Sequence, residues 1–157
     1  MGDLLPILAR FSLGALFIYM GLNKAFHPVE FLKLLREYDV LHTPFLLNLV
    51  ASTLPWFEAF CGALLILGAA VRGTSVMLLA MLIPFTVLVL LRALAMREGS
   101  GLPFCAIKFD CGCGAGEVRI CHKLAENILL ATLSAGLIFW RRPRLCLRHS
   151  LFLKDNE

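Results

Sequence analysis

Apolar residues fill four long stretches of this chain, and charged residues rarely interrupt them. The first stretch, residues 4–22, contains one charged residue, Arg10. The second, residues 45–71, contains only Glu58, and the third, residues 74–91, contains none. A helix needs about 20 mostly apolar residues to cross a bilayer, and the fourth stretch reaches that length only if it begins near His122 or Lys123. We therefore predict four membrane-spanning helices, over about 4–24, 46–71, 74–95 and 122–140.

The connections between these stretches complete an all-α architecture. Backbone groups in lipid must be satisfied within the protein, so we expect an integral membrane four-helix bundle. It would form a single domain over residues 1–145, followed by a tail over 146–157. After the first span, Pro28 is favourable at a helix start, and Phe31 and Tyr38 continue an apolar face at helical spacing. This predicts an amphipathic helix at the membrane interface, with a plain structural cover as the alternative.

Basic residues predict the orientation of the bundle. Three arginines fall within residues 141–144, directly after the fourth span. Because cytoplasmic flanks carry an excess of Lys and Arg, the C-terminus and the tail over 146–157 should be cytoplasmic. With four spans, the N-terminus then lies on the cytoplasmic side too. A short turn at residues 72–73 would then lie inside. The connections over about 25–44 and 97–122 would face the outer, periplasmic side of a bacterial-type plasma membrane.

Composition excludes other classes of protein. The 157 residues are 59% hydrophobic and 17% charged, with a mean hydropathy of +0.81. Soluble domains are roughly 45–50% apolar and about 25% charged. Disorder is excluded because it requires low hydrophobicity. Nucleic-acid binding is not expected, because the net charge is only +4 and the basic residues form no stripe. The bilayer is therefore an expected partner, nucleic acid is not, and an oligomer stays open.

Four of the six cysteines lie in the last connection, at Cys105, Cys111, Cys113 and Cys121. Glycines around Cys111 and Cys113 permit a tight turn. A disulfide between these two would close a very small ring, and strained, exposed disulfides tend to be the labile or catalytic ones. We predict that Cys111 and Cys113 form a redox-active pair. Cys105 and Cys121 could form a second pair or accept the disulfide in a relay.

Two other interpretations of these cysteines remain open. Two inert bridges could simply pin the loop to the bundle. Alternatively, the four thiols together with His122 could bind zinc or copper, although their spacing matches no common zinc template. Cys61, inside the second span, is expected to be a small hydrophobic core residue.

Charged residues near the span ends form a second candidate feature. Each predicted span contributes one to the outer side, and they are Lys24, Glu58, Arg92 and Glu126. A cation beside a thiol favours the thiolate, so Lys24 or Arg92 could activate a cysteine, and Glu58 could hold or relay a proton. The alternative is an ion-pair network that only locks the helices together. Arg10, near the inner end, is expected to reach lipid phosphate.

Several motifs follow one another in a recognisable order. They are Gly21-x-x-Lys24, then Pro28, Phe31 and Tyr38, then Leu54-Pro55-Trp56-x-Glu58-x-x-x-Gly62, then Cys111-Gly112-Cys113-Gly114, then Asn127. This order resembles the MauE branch of the DoxX-like membrane proteins and covers most of the chain. The pattern departs from that family at two places. Gly114-Ala115-Gly116 replaces the usual Phe-Gly after the second cysteine, and Glu126 stands where Arg commonly precedes the asparagine.

The resemblance implies a function as well as a fold. It implies four helices, a role in methylamine utilisation and, with an exported thioredoxin-like partner, disulfide formation in an exported protein. DoxX-like relatives add a link to quinone-coupled sulfur oxidation, so a quinone between the helices could be the electron carrier. We therefore expect a thiol-disulfide oxidoreductase that acts on the thioredoxin-like protein or its substrate. The alternatives are a metal-transfer protein and an assembly or chaperone subunit with inert disulfides.

Overall fold

Five α-helices build most of the described structure, a computed structural model that describes residues 4–37, 43–100, 103–110 and 117–139. The helices are α1 (Leu4–Phe26), α2 (Pro28–Glu37), α3 (Pro44–Leu67), α4 (Val71–Ser100) and α5 (Ile120–Phe139). Between α4 and α5 lie a 3₁₀ turn (Phe104–Ala106) and two short strands, β1 (Lys108–Asp110) and β2 (Glu117–Arg119). The predicted all-α membrane fold class is confirmed, and the small hairpin is an addition to it.

Three of the described helices are long and apolar enough to cross a membrane. These segments are Pro6–Phe26, Pro44–Leu67 and Val71–Glu98. Helix α5 has 20 residues and packs against α4 and α1. Its length is sufficient for a crossing. The fourth span therefore stays a prediction.

The junction between the second and third spans lies earlier than predicted. Helix α3 ends at Leu67, and Gly68 adopts the left-handed conformation with φ of 72°. The N–H of Gly68 donates to the carbonyl of Leu65 at 3.1 Å, which satisfies a helix-end acceptor. Glycine takes this conformation without a Cβ clash. The turn predicted at residues 72–73 is wrong, because both residues lie in the first turn of α4 and apolar neighbours hid the break at Gly68.

Three glycines bring α1 and α3 into close contact. A Cβ on Gly62 would lie 2.6 Å from the carbonyl oxygen of Gly14, and a Cβ on Gly14 would lie 2.8 Å from that of Gly62. A Cβ on Gly21 would lie 2.6 Å from the carbonyl oxygen of Pro55. Small residues allow membrane helices to approach this closely. Since the contacted positions fall along α3 as they rise along α1, the two helices are antiparallel.

Helices α4 and α5 form the second pair, and two apolar clusters join it to the first. One cluster includes Leu13, Leu65, Leu78 and Leu137. The other, here called the hairpin cluster, consists of Met20, Val89, Ala93, Ile107, Phe109 and Ile120. Because this second cluster contains residues from the strand segment, it marks the hairpin end of the bundle.

The amphipathic helix predicted after Pro28 is present as α2, which ends at Glu37. Its Phe31 side chain is buried, and α2 contacts both α3 and α1. Tyr38, which the sequence placed on the same face, lies outside the described residues. Helix α2 therefore covers the α1–α3 pair.

The structure tests what the sequence predicted for Cys61 and Arg10, a cysteine and an arginine inside the predicted spans. Cys61 is a free thiol buried in the apolar core, as predicted. Arg10 is only 4% exposed, and its guanidinium lies 5.3 Å from the ring centroid of Phe11. The expectation that Arg10 reaches lipid phosphate is therefore wrong, because the side chain is held within the protein.

Candidate functional site

The cysteine-bearing connection folds as an antiparallel hairpin. Its pairs are Lys108 with Arg119, Phe109 with Val118, and Asp110 with Glu117. Phe109 is buried in the hairpin cluster together with Ile107 and Ile120. The N–H of Ile120 donates to the carbonyl of Ile107 at 3.2 Å, which joins the start of α5 to the start of β1. The base of the hairpin is therefore fixed in the core of the bundle.

A disulfide closes this base. Cys105 in the 3₁₀ turn is bonded to Cys121 in the first turn of α5, with their Cα atoms 5.1 Å apart. The two cysteines are 16 residues apart in sequence, so the bridge encloses both strands. Cys105 and Cys121 thus form the second pair, which was one of the two roles that the sequence left open for them.

The predicted reactive pair, Cys111 and Cys113, lies outside the described residues. The described chain stops at Asp110 and resumes at Glu117, and these two residues stand opposite each other in the hairpin. Opposed residues in an antiparallel pair have Cα atoms about 4.5–5.5 Å apart. The two ends of the segment that carries the pair are therefore held close together on an anchored support.

Lys24 and Glu58 form a buried ion pair between α1 and α3. Lys24 Nζ donates to the two carboxylate oxygens of Glu58 at 2.8 and 2.7 Å, and the side chains are 5% and 8% exposed. The ammonium also lies 5.4 Å from the ring centroid of Phe31 and 5.9 Å from that of Phe85. Since Phe85 packs against the hairpin cluster, the ion pair borders the hairpin end. Two of the four predicted charged residues are thus brought together.

The other two charged residues pair with partners that the sequence analysis did not select. Arg92 donates to the carboxylate of Glu37 at 2.6 Å and also to the backbone carbonyl of Glu37. Glu126 accepts from Lys123 Nζ at 3.0 Å. Among the described residues, the four predicted positions therefore divide over three ion pairs. The i,i+3 spacing of Lys123 and Glu126 is the one sequence signal that could have found a missed partner.

Helix α5 also presents a buried polar face. Lys123 is 0% and Asn127 1% exposed, and the two positions lie one helical turn apart. Within the described part of the chain, Asn127 Nδ2 has no hydrogen-bond partner. Leaving a buried donor without an acceptor costs about 1–3 kcal/mol. This face could therefore donate hydrogen bonds to an acceptor oxygen of a ligand.

The disulfide restricts the metal alternative. Only a thiolate binds a metal, so Cys105 and Cys121 offer no ligand while they are bonded to each other. His122 is exposed beside the bridge. In residues 4–37, 43–100, 103–110 and 117–139, no group of three or more His, Cys, Asp or Glu is placed to hold an ion. A site made of all five proposed ligands would first require reduction of the bridge.

Comparison with protein families matches residues 2–141 to the family described as methylamine utilisation protein MauE. The chain belongs to the MauE family. Comparisons with curated proteins and with solved structures give no match. The family and the apolar helices together establish a membrane protein, and they confirm the family that the motifs resembled.

In this MauE-family chain, two of the quoted motifs interlock at the contact between α1 and α3. Gly21 lies against Pro55, Gly62 lies against Gly14, and Lys24 lies against Glu58. These motif residues therefore have a clear role in helix packing.

Proposed function

We propose that this protein is a membrane thiol-disulfide oxidoreductase that exchanges disulfides at its hairpin end with an exported thioredoxin-like protein or a substrate of one. The observation that carries the proposal is the hairpin closed by the Cys105–Cys121 disulfide. Its base is buried in the bundle, and its far end leads into the segment with Cys111 and Cys113. Sites on a rigid support hold their geometry better than sites on free loops.

The exchange needs two sulfur-transfer steps. A thiolate of the partner attacks one sulfur of an oxidised Cys111–Cys113 pair, which breaks that bond and forms a mixed disulfide. A second partner thiolate then attacks the partner's own sulfur in the mixed disulfide. The partner leaves with a disulfide, and Cys111 and Cys113 are left as a dithiol. The Cys105–Cys121 bridge is the oxidant that can restore the first pair by the same exchange.

The proposed sidedness follows from charge and compartment. The three arginines within residues 141–144 favour a cytoplasmic C-terminus. With four spans, the hairpin end then faces the periplasmic side of a bacterial-type plasma membrane. Disulfides persist in such oxidising compartments, which suits a closed bridge between Cys105 and Cys121.

A quinone is the electron acceptor that the resemblance implies, and the buried face of α5 fits one. Asn127 and Lys123 are buried donors that could hydrogen-bond to its carbonyl oxygens. When bound, a quinone supplies an acceptor for two electrons and two protons. We expect Asn127→Leu to weaken binding of a short-chain quinone, measured by quenching of tryptophan fluorescence. Thr132→Val, a change on the exposed side of α5, should leave binding intact, and equal binding by both variants would remove this assignment.

The function is tested by exchange rates of the protein reconstituted in liposomes. A reduced thioredoxin-like protein serves as the electron donor, and its oxidation is followed by thiol trapping. Cys111→Ser and Cys113→Ser should each lower the rate by about two orders of magnitude, because each removes a reacting sulfur. Cys61→Ser is the matched control, since Cys61 is buried in the core away from the hairpin.

The same variants separate the proposal from its alternatives. If Cys111→Ser and Cys113→Ser keep the wild-type rate, the exchange proposal is wrong. Stoichiometric zinc or copper on free hairpin thiols would favour the metal-transfer protein. If Cys111→Ser and Cys113→Ser leave the protein's function intact while Cys105→Ser abolishes folding, a structural subunit is favoured.

A further inference from the structure

The two halves of the Cys105–Cys121 bridge lie in different surroundings. Cys105 belongs to the 3₁₀ turn and is exposed. Cys121 is partly buried, and it follows Ile120, which is 0% exposed in the hairpin cluster. An incoming thiol therefore meets the sulfur of Cys105 more easily than the sulfur of Cys121. Accessibility is one of the factors that decide which sulfur of a disulfide is attacked.

The position of Cys121 in α5 favours negative charge on its sulfur. It is the second residue of the helix, and the first four N–H groups of a helix have no acceptor within it. Of these four, the N–H of Ile120 donates to Ile107. The aligned peptide dipoles and the remaining N–H groups stabilise an anion at this end, and cysteines at helix N-termini form thiolates readily.

Two basic residues lie at the base of the hairpin and are close to the bridge cysteines in sequence. Lys108 and Arg119 stand directly opposite each other, and both are exposed. Arg119 precedes Cys121 by two positions, and Lys108 follows Cys105 by three. Lys123, further along α5, is already paired with Glu126. The cationic hairpin base and the helix start therefore both favour a thiolate at this site.

We propose that the Cys105–Cys121 bridge is itself a redox site with a fixed direction, in which external thiolates attack Cys105 and Cys121 is the leaving sulfur. The inference rests on the proposed function, because it takes thiol-disulfide exchange as the chemistry of the hairpin end. The external reactant is a small thiol such as glutathione. The bridge is the oxidant and the thiol is the reductant.

The thiolate forms a bond to Cys105 Sγ, the Cys105–Cys121 bond breaks, and its electron pair leaves on Cys121 Sγ. A second thiolate then attacks the external sulfur of the mixed disulfide and releases the Cys105 thiolate. The two small thiols are joined in one disulfide, and the bridge becomes two thiols after protonation.

The test uses a variant that keeps the bridge and removes competing cysteines, with Cys111→Ser, Cys113→Ser and Cys146→Ser. The purified, membrane-reconstituted protein is treated briefly with glutathione, quenched with acid and alkylated with a maleimide. Peptide mass spectrometry then locates both labels. Glutathione on Cys105 with maleimide on Cys121 should exceed the reverse pattern by about threefold or more, because access and leaving-group stability favour the same direction.

Cys61 is the internal control, because it is free and 3% exposed in the core. Its labelling would show that the protein had unfolded during the treatment. An excess of glutathione on Cys105 over glutathione on Cys121 of less than about threefold would overturn the inference. So would a bridge that opens only together with labelling of Cys61, since that behaviour marks an inert structural disulfide. Neither result decides whether Cys111 and Cys113 exchange disulfides, which is measured through Cys111→Ser and Cys113→Ser with the bridge present. An inert bridge would remove only its part as the oxidant of that pair.

A second measurement tests the direction of attack in variants that lack the bridge. In the same background, Cys105→Ser leaves Cys121 as a single hairpin thiol, and Cys121→Ser leaves Cys105. If α5 stabilises the thiolate of Cys121, its alkylation should persist to lower pH than that of Cys105. Loss of alkylation at the same pH for both thiols would contradict the assigned leaving sulfur.

Discussion

A lysine and a glutamate buried together in an apolar bundle stabilise each other only while both are present. The side chains of Lys24 and Glu58 are 5% and 8% exposed, and each charge is satisfied mainly by the other. Removing one partner leaves the other desolvated and unpaired, whereas removing both leaves an apolar contact. The Arg92–Glu37 pair is a natural comparison, because the Glu37 side chain is 55% exposed.

Lys24→Met alone should destabilise the protein by about 3–5 kcal/mol, because it strands a buried carboxylate. The double variant Lys24→Met with Glu58→Leu should recover most of that loss. Thermal unfolding in detergent micelles, followed by circular dichroism, measures both effects.

Glu37→Gln is the matched control for this comparison. Its exposed pair with Arg92 should contribute about 0–1 kcal/mol. Equal losses from Lys24→Met and Glu37→Gln, or a double variant no more stable than Lys24→Met, would show that the buried pair is not the coupled unit described.

At the scale of elements, the contact between α1 and α3 depends on backbone proximity rather than on large side chains. A Cβ on Gly62 would lie 2.6 Å from the carbonyl oxygen of Gly14, and real Cβ atoms essentially never come so close to another heavy atom. Gly136 in α5 has nothing within 4 Å of the same hypothetical atom. The chain thus contains two helical glycines with opposite tolerance for a methyl group.

Gly62→Ala should force α1 and α3 apart and cost about 1–3 kcal/mol, as overpacking usually does. Gly136→Ala should be neutral or stabilising by up to about 1 kcal/mol, because alanine is the better helix former. Unfolding midpoints of the two variants in the same detergent decide the matter. A Gly62→Ala protein as stable as Gly136→Ala would show that the helices do not meet at this contact.

The long helices were predictable from sequence, because only sustained apolar runs can cross a bilayer. The turn at Gly68 was not, since apolar residues continue on both sides of it and only the left-handed backbone ends α3. The hairpin was missed because its strands are three residues long, too short for a clear alternation. Long-range ion-pair partners such as Glu37 were missed because helix positions alone do not show which faces meet.

At the scale of the whole molecule, the hairpin end brings together the features that carry the proposals. The hairpin cluster contains Met20 of α1, Val89 of α4 and Ile120 of α5. The Lys24–Glu58 pair borders this cluster through Phe85. The candidate cysteines were identified from sequence, while the anchoring of Cys105 and Cys121 on this part of the bundle required the structure.

Four crossings would place the hairpin and the C-terminal tail on opposite sides of the membrane. After mild reduction of intact cells, a membrane-impermeant maleimide should therefore label hairpin cysteines and spare Cys146. Permeabilised cells provide the control, in which Cys146 becomes reactive. Labelling of Cys146 but never of the hairpin cysteines in intact cells would invert the orientation.

The central claim is that the hairpin cysteines exchange disulfides, and a redox titration of the purified protein tests it most directly. The protein is equilibrated in glutathione buffers of graded potential, trapped with a maleimide and mapped by mass spectrometry. Structural disulfides have potentials below about −300 mV and resist such buffers. We predict a Cys111–Cys113 disulfide that opens in these buffers while the protein stays folded. Hairpin disulfides that remain closed until unfolding, or free hairpin thiols bound to stoichiometric metal, would contradict the account.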